Sequence, residues 1–219
     1  MDQNDRYTVT IYAAAPGTPL INPERPDTPR ETSLTGHMYL KVAHGEEARS
    51  MGWQPGTRTP DGYLGRVSAD DVDTYVDPYY ARTIEVSREQ YEKIQEFGRA
   101  PTRFGFDPKY DAFSNGCTDF TWGALNHAGL HANVGPVPFK GFEGILQPTK
   151  NIPAIESIKA PFPDSDLNKV EQPLAGTRLE AIPAVRQRPR DDGPGEPRCG
   201  LARRLPRPYP GRSQRAHVR

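Results

Sequence analysis

Residues 114–129, SNGCTDFTWGALNHAG, decide how the chain is read, because they put a cysteine at the opening of a helix. Ser114 or Asn115 can cap that helix, Phe120, Ala124 and Ala128 share a face with Cys117, and Gly129 is the natural stop. A thiol in the first helical turn meets unpaired backbone N–H groups and the positive end of the dipole, and both favour the thiolate that attacks. Gly116 lets the backbone come close to a substrate, and the Cys117 N–H is placed to donate to a developing oxyanion. A lone cysteine on an apolar helix is ordinarily a small buried hydrophobe. The Asn-Gly-Cys context is what turns the reading toward chemistry.

A nucleophilic thiol needs a base, and residues 36–43, GHMYLKVA, supply one. Met38, Leu40 and Val42 alternate on one face of a strand, leaving His37, Tyr39 and Lys41 on the other, the expected solvent side. His37 is the candidate base. His44 falls in a turn, and His127 lies nearly three turns along the cysteine helix, so neither is expected to reach the sulfur. A third polar group that orients the imidazole is expected from the strand after His37, with Ser50 the first choice and Gln54 the second. Asp119 reads as a helix-terminal charge, since a carboxylate there opposes thiolate formation. Tyr39, Trp53, Asn115 and Gly116 are the candidate substrate contacts, although aromatics in such positions more often belong to a core. His127 and His131 have the spacing of a helical metal pair, but Gly129 separates them and no glutamate follows His127, so neither metal nor cofactor is expected.

Outward from these two stretches the pattern is mixed. Residues 7–14, YTVTIYAA, alternate as a strand, and five prolines between positions 16 and 35 make a long surface loop that leads into His37 and is expected to border the site. Residues 47–53 are expected to return as a partner strand closed by Pro55 and Gly56, with a short helix at 68–76 where Ser68 and Asp71 have cap-like spacing. Residues 82–86 read as another strand. Ser87 and Gln90 then form a capping box for a helix that ends at Gly98 and buries Tyr91, Ile94 and Phe97. The sum is an α+β fold, a small antiparallel sheet packed on helices, with a domain at 1–165 and an Arg/Pro-rich tail at 166–219. That tail has no periodicity with which to repay its ordering entropy.

Composition narrows the function. The chain has 24 prolines, 20 glycines, a mean hydropathy of -0.76 and a net charge of zero. Ten arginines and three acids after residue 180 leave the remainder acidic, which argues against a folded nucleic-acid-binding surface. Cys117 and Cys199 stand in unrelated contexts, so no disulfide framework is expected. No stretch has the length of a membrane span and the N-terminus lacks the marks of a signal peptide. Synthesis in the cytoplasm is therefore the expectation, with export through a specialised secretion system.

An early strand histidine in TGHMYL and a later helix-start cysteine in SNGCTDF resemble the permuted NlpC-like superfamily, to which lecithin retinol acyltransferase-like proteins belong. Its asparagine-cysteine pair with a polar residue and an aromatic beyond is matched by Cys117, Asp119 and Phe120, with Asn115 shifted one place by Gly116. The resemblance covers roughly residues 7–163. It implies a permuted papain-like fold, Cys117 and His37 as catalytic pair, and amide or peptide hydrolysis through a thioester. Bacterial relatives of this size imply further a cell-wall effector that acts on peptidoglycan in a target periplasm, with a secretion apparatus and an immunity protein as partners. Lipid-ester hydrolysis or acyl transfer on the same fold, and a binding module in which Cys117 is merely packed, are the competing expectations.

Overall fold

The alternating stretches become strands of one antiparallel sheet in the computed structural model, which describes residues 6–22 and 31–172. Strand β1 is Tyr7–Ala14, β2 His37–His44, β3 Glu47–Thr59, β4 Gly62–Ser68, β5 Tyr80–Val86, β6 Lys109–Tyr110 and β9 Lys169–Glu171. They lie in the order β6-β4-β3-β2-β1-β5-β9, and β7 (Ala132–Val134) with β8 (Val137–Phe139) makes a separate ribbon. The helices are α1 (Asp71–Thr74), α2 (Arg88–Arg99), α3 (Cys117–His127) and α4 (Ile152–Ser157). The fold class is α+β, as expected.

Register explains the core. Val9, Ile11 and Ala13 of β1 stand opposite Val42, Leu40 and Met38 of β2, and Leu40 stands opposite Met51 of β3, so one face of the sheet is continuously apolar and fully buried. Ile94 and Phe97 of α2 and Phe120, Ala124 and Leu125 of α3 cover it. Each such Leu, Ile or Phe contributes about 1.5–3 kcal/mol when removed from water. The Ser87–Gln90 capping box forms as the sequence indicates, and Ile94 and Phe97 of the expected stripe are buried while Tyr91 packs at its margin.

Three expectations are corrected. Strand β3 does not stop at Pro55 and Gly56: it passes through an irregularity between Pro55 and Arg58 and turns at Thr59 into β4, which the sequence reading lacked. A bulge tolerates a proline that a regular ladder excludes. The expected helix at 68–76 shrinks to the single turn of α1, because Ser68 is still paired in β4 opposite Gly52. The ordered fold also continues past residue 165, since β9 pairs with β5. Residues 173–219, with Cys199 and most of the expected tail, lie outside the described residues, as do residues 23–30 of the proline-rich loop. Among the described residues no helix is long and apolar enough to cross a membrane.

Candidate active site

His37 is the first residue of β2, and a glycine sets it there. Gly36 has φ 79°, and a Cβ on it would collide with the Ala14 carbonyl, so the turn into β2 passes too close to β1 for any side chain. The imidazole is on the face opposite Met38, as the alternation requires. It is nonetheless buried, which corrects the expected solvent-side placement. Tyr75, just past α1, stacks on the ring at 4.8 Å, Tyr39 stacks at 5.6 Å from it and lies 5.5 Å from Tyr75, and Tyr12 lies 4.7 Å from Tyr39.

The third group is Asp71. Its Oδ1 lies 2.9 Å from His37 Nε2, and the carboxylate is completely buried. Ser50 and Gln54, the sequence candidates for this role, donate to Asp71 instead: Gln54 Nε2 to Oδ1 at 2.9 Å and Ser50 Oγ to Oδ2 at 3.4 Å. Ser68 Oγ adds a bond of 2.5 Å to Oδ2. The correction has a simple cause: Ser50 and Gln54 share the His37 face of the sheet, but the single turn of α1 places a carboxylate over that face, and they bond to it. Gly52, between them on the same face, is what makes room. A Cβ there would lie 2.7 Å from His37 Nε2 and 2.9 Å from Asp71 Oδ2. Sequence offered two signals for these residues, the Ser68–Asp71 spacing, read as a helix cap, and a glycine inside a strand, which marks close approach.

Cys117 opens α3, with its sulfur close enough to the His37 ring and the Met38 backbone N–H for both to act on its charge. Because Asp71 occupies Nε2, Nδ1 is the ring nitrogen left for the sulfur. The α3 cap differs from expectation. Gly116 is the N-cap, and its N–H donates to Asp119 Oδ2 at 2.8 Å, the helix-terminal role read for Asp119. Ser114 is drawn away by Asp111 Oδ1, and the Asn115 amide donates to the Asp107 and Lys109 carbonyls, so neither caps.

Charge follows from these contacts. Burial works against a charged His37, but the Cys117 thiolate and the Asp71 hydrogen bond outweigh it and hold the imidazolium up to about 9. Burial pushes the Cys117 thiol up, and the His37 charge, its hydrogen bond and the Met38 N–H together bring it below the ordinary value. Burial also opposes ionised Asp71, yet its bonds from His37, Ser68 and Gln54 leave it lowered. A thiolate, an imidazolium and a carboxylate in succession can perform nucleophilic attack with proton return.

The other expected contacts fall elsewhere. Trp53 is in the core, stacked 5.7 Å from Phe120 and edge-on to Phe106, and Tyr39 is buried in the tyrosine stack, so neither lines an open groove. Asn115 is pinned in its turn, beside the Gly116 cap. His44 stacks on Tyr7, and His131 Nδ1 pairs with Asn126 Oδ1 at 2.9 Å. The described stem of the proline-rich loop is tied to the site: Ile21 N–H donates to the Thr74 carbonyl and Val76 N–H to the Pro19 carbonyl, on either side of Tyr75. No family model matches the chain, and no curated protein or solved structure matches it either.

Proposed function

We propose that the chain is a cysteine-dependent hydrolase with a permuted papain-like fold, in which Cys117 is the nucleophile, His37 the general acid and base, and Asp71 the group that orients His37. The observation that carries this reading is the succession of a partly exposed Cys117, the buried His37 ring and the buried Asp71 carboxylate, with Nε2 and Oδ1 2.9 Å apart. The Cys117 thiolate adds to the substrate carbonyl carbon, and the electron pair of the C=O bond moves to oxygen, within reach of N–H groups at the start of α3. As the C–N bond breaks, His37 Nδ1 gives its proton to the leaving nitrogen, and a thioester remains. Water then attacks, its proton returns to His37, and the C–S bond breaks to restore thiolate and imidazolium.

The substrate implied by the resemblance is the peptide of peptidoglycan, which would make the chain an effector-like amidase. Incubation with isolated peptidoglycan tests it: release of new amino groups by the native chain and none by Cys117→Ala is the expected result. Equal release by both ends the reading. A lipid ester is the second substrate class, favoured by Leu34 and Phe113, large apolar side chains 91% and 82% exposed on the segments that lead into His37 and Cys117. Release of fatty acid from an ester without release of amino groups would select it.

A further inference from the structure

Asp71 accepts from four donors, and Gln54 is the one of them whose own orientation is fixed from the surface. Gln54 and Arg66 are register partners across β3 and β4, and Arg66 Nη2 donates to Gln54 Oε1 at 3.1 Å. A guanidinium only donates, so it fixes the amide with oxygen toward Arg66 and nitrogen toward Asp71. That nitrogen reaches Oδ1, the same oxygen that faces His37 Nε2. An exposed arginine is thus connected, through one amide and one carboxylate, to the imidazole that touches the thiol.

We propose that Gln54, oriented by Arg66, is a positioning residue: it keeps Asp71 ionised and aimed at His37 Nε2, and so keeps Nδ1 turned to Cys117. The proposal rests on the hydrolase reading of Cys117 and His37. Groups facing this cluster are Lys41, His37 and Tyr39 of β2, Arg66 of β4, Tyr75 beyond α1, and Cys117 of α3. None of these is a carboxylate; Asp119 of α3 acts on Cys117, and Asp71 is the carboxylate that an acid placed at position 54 meets directly. Gln54→Glu makes the role visible. While protonated, the introduced carboxyl donates to Asp71 as the amide does. Once ionised, two carboxylates face each other and the aim of Asp71 is lost.

The test is the rate of iodoacetamide alkylation of Cys117 against pH, with thermal melting of each variant, and it requires no substrate. For Gln54→Leu the thiol's apparent pKa is expected to rise by about one unit, hence about tenfold slower alkylation on the acid side. Arg66→Met is expected to shift it the same way and less. For Gln54→Glu the ratio to the native rate should fall as pH rises from about 5 to 8, because the Asp71 charge moves the introduced carboxyl above its ordinary value of about 4.3. A constant ratio across that range, or a Gln54→Leu profile that superposes on the native one, overturns the positioning role even if either variant melts lower. A native Cys117 that titrates as an ordinary thiol overturns the Cys117–His37 pair itself, and the positioning role with it.

Discussion

A carboxylate as deeply buried as Asp71 survives as an anion only because hydrogen bonds replace the water it has lost. Asp71→Asn keeps the shape and removes the charge, and an amide N–H turned to Nε2 imposes the wrong imidazole tautomer. Hydrolysis is expected to fall by about 10³–10⁴-fold with the fold retained, read as kcat on whichever substrate is cleaved. Stability follows the lowered Asp71 pKa: its contribution is present above the unfolded value of 3.8 and is lost as pH falls through the depressed folded value. The melting gap between native and Asp71→Asn chains should therefore be open at neutral pH and close in strong acid. His37 has the opposite sign. Its charge contributes stability fully below 6.5, lost as pH rises through about 9, and hydrolysis should fail across that same upper limb because the leaving group no longer receives a proton. A flat activity profile to pH well beyond 9 would remove His37 as the acid. Gly52→Ala tests the packing of the pair directly. The new methyl meets His37 and Asp71, so about 1–3 kcal/mol of stability and most thiolate reactivity should go together. Unchanged alkylation by that variant would mean the pair has slack.

At the scale of elements, what could be read from sequence is what local physics decides. Strand β2 with its alternating faces, the capping box of α2 and the cysteine at the opening of α3 each depend on neighbours a few residues away. The pair of Cys117 and His37 was legible because each sits at the start of such an element. Asp71 was not, because its role arises when β4 returns beside β3, and that return was hidden by Pro55 and Gly56, which normally end a strand. Ser50 and Gln54 are read on the right strand but for the wrong partner, since which group occupies the space above a sheet is a tertiary fact. The same locality predicts a variant that leaves the site alone: Ser87→Ala removes the capping box of α2 and is expected to cost about 1 kcal/mol in chemical denaturation. The Cys117 alkylation profile should not move. A shifted profile would show that α2 and the site are coupled through the core they share.

For the whole molecule, the question is where the fold ends, and the edge of the sheet answers it. Beyond residue 165 the chain still contributes structure: Arg6, held by Glu85 at 2.7 Å, also pairs with Asp166 at 2.6 Å, and Asn168 Oδ1 accepts the Glu85 N–H at 2.9 Å. Strand β9 then covers β5 with three paired positions, Ala81, Arg82 and Thr83. A chain cut after Ser165 keeps Arg6–Glu85 but loses the Asp166 and Asn168 contacts and β9, and leaves β5 as a bare edge, which invites pairing with another molecule. Hydrogen bonds of this kind are worth about 1 kcal/mol each, so the melting temperature should drop by roughly 2–8 °C and the shortened chain should associate more readily. A chain cut after Arg178 keeps β9 and discards only residues whose arginine- and proline-rich pattern offers no apolar face. It should melt with the full chain and show the same Cys117 alkylation profile, because the thiol, His37 and Asp71 are held by β2, β3, β4, α1 and α3, all of which lie before it. Equal melting of the 165 and 178 chains would show that β9 contributes nothing to stability. A loss of alkylation on cutting after Arg178 would show that residues 179–219 act on the site.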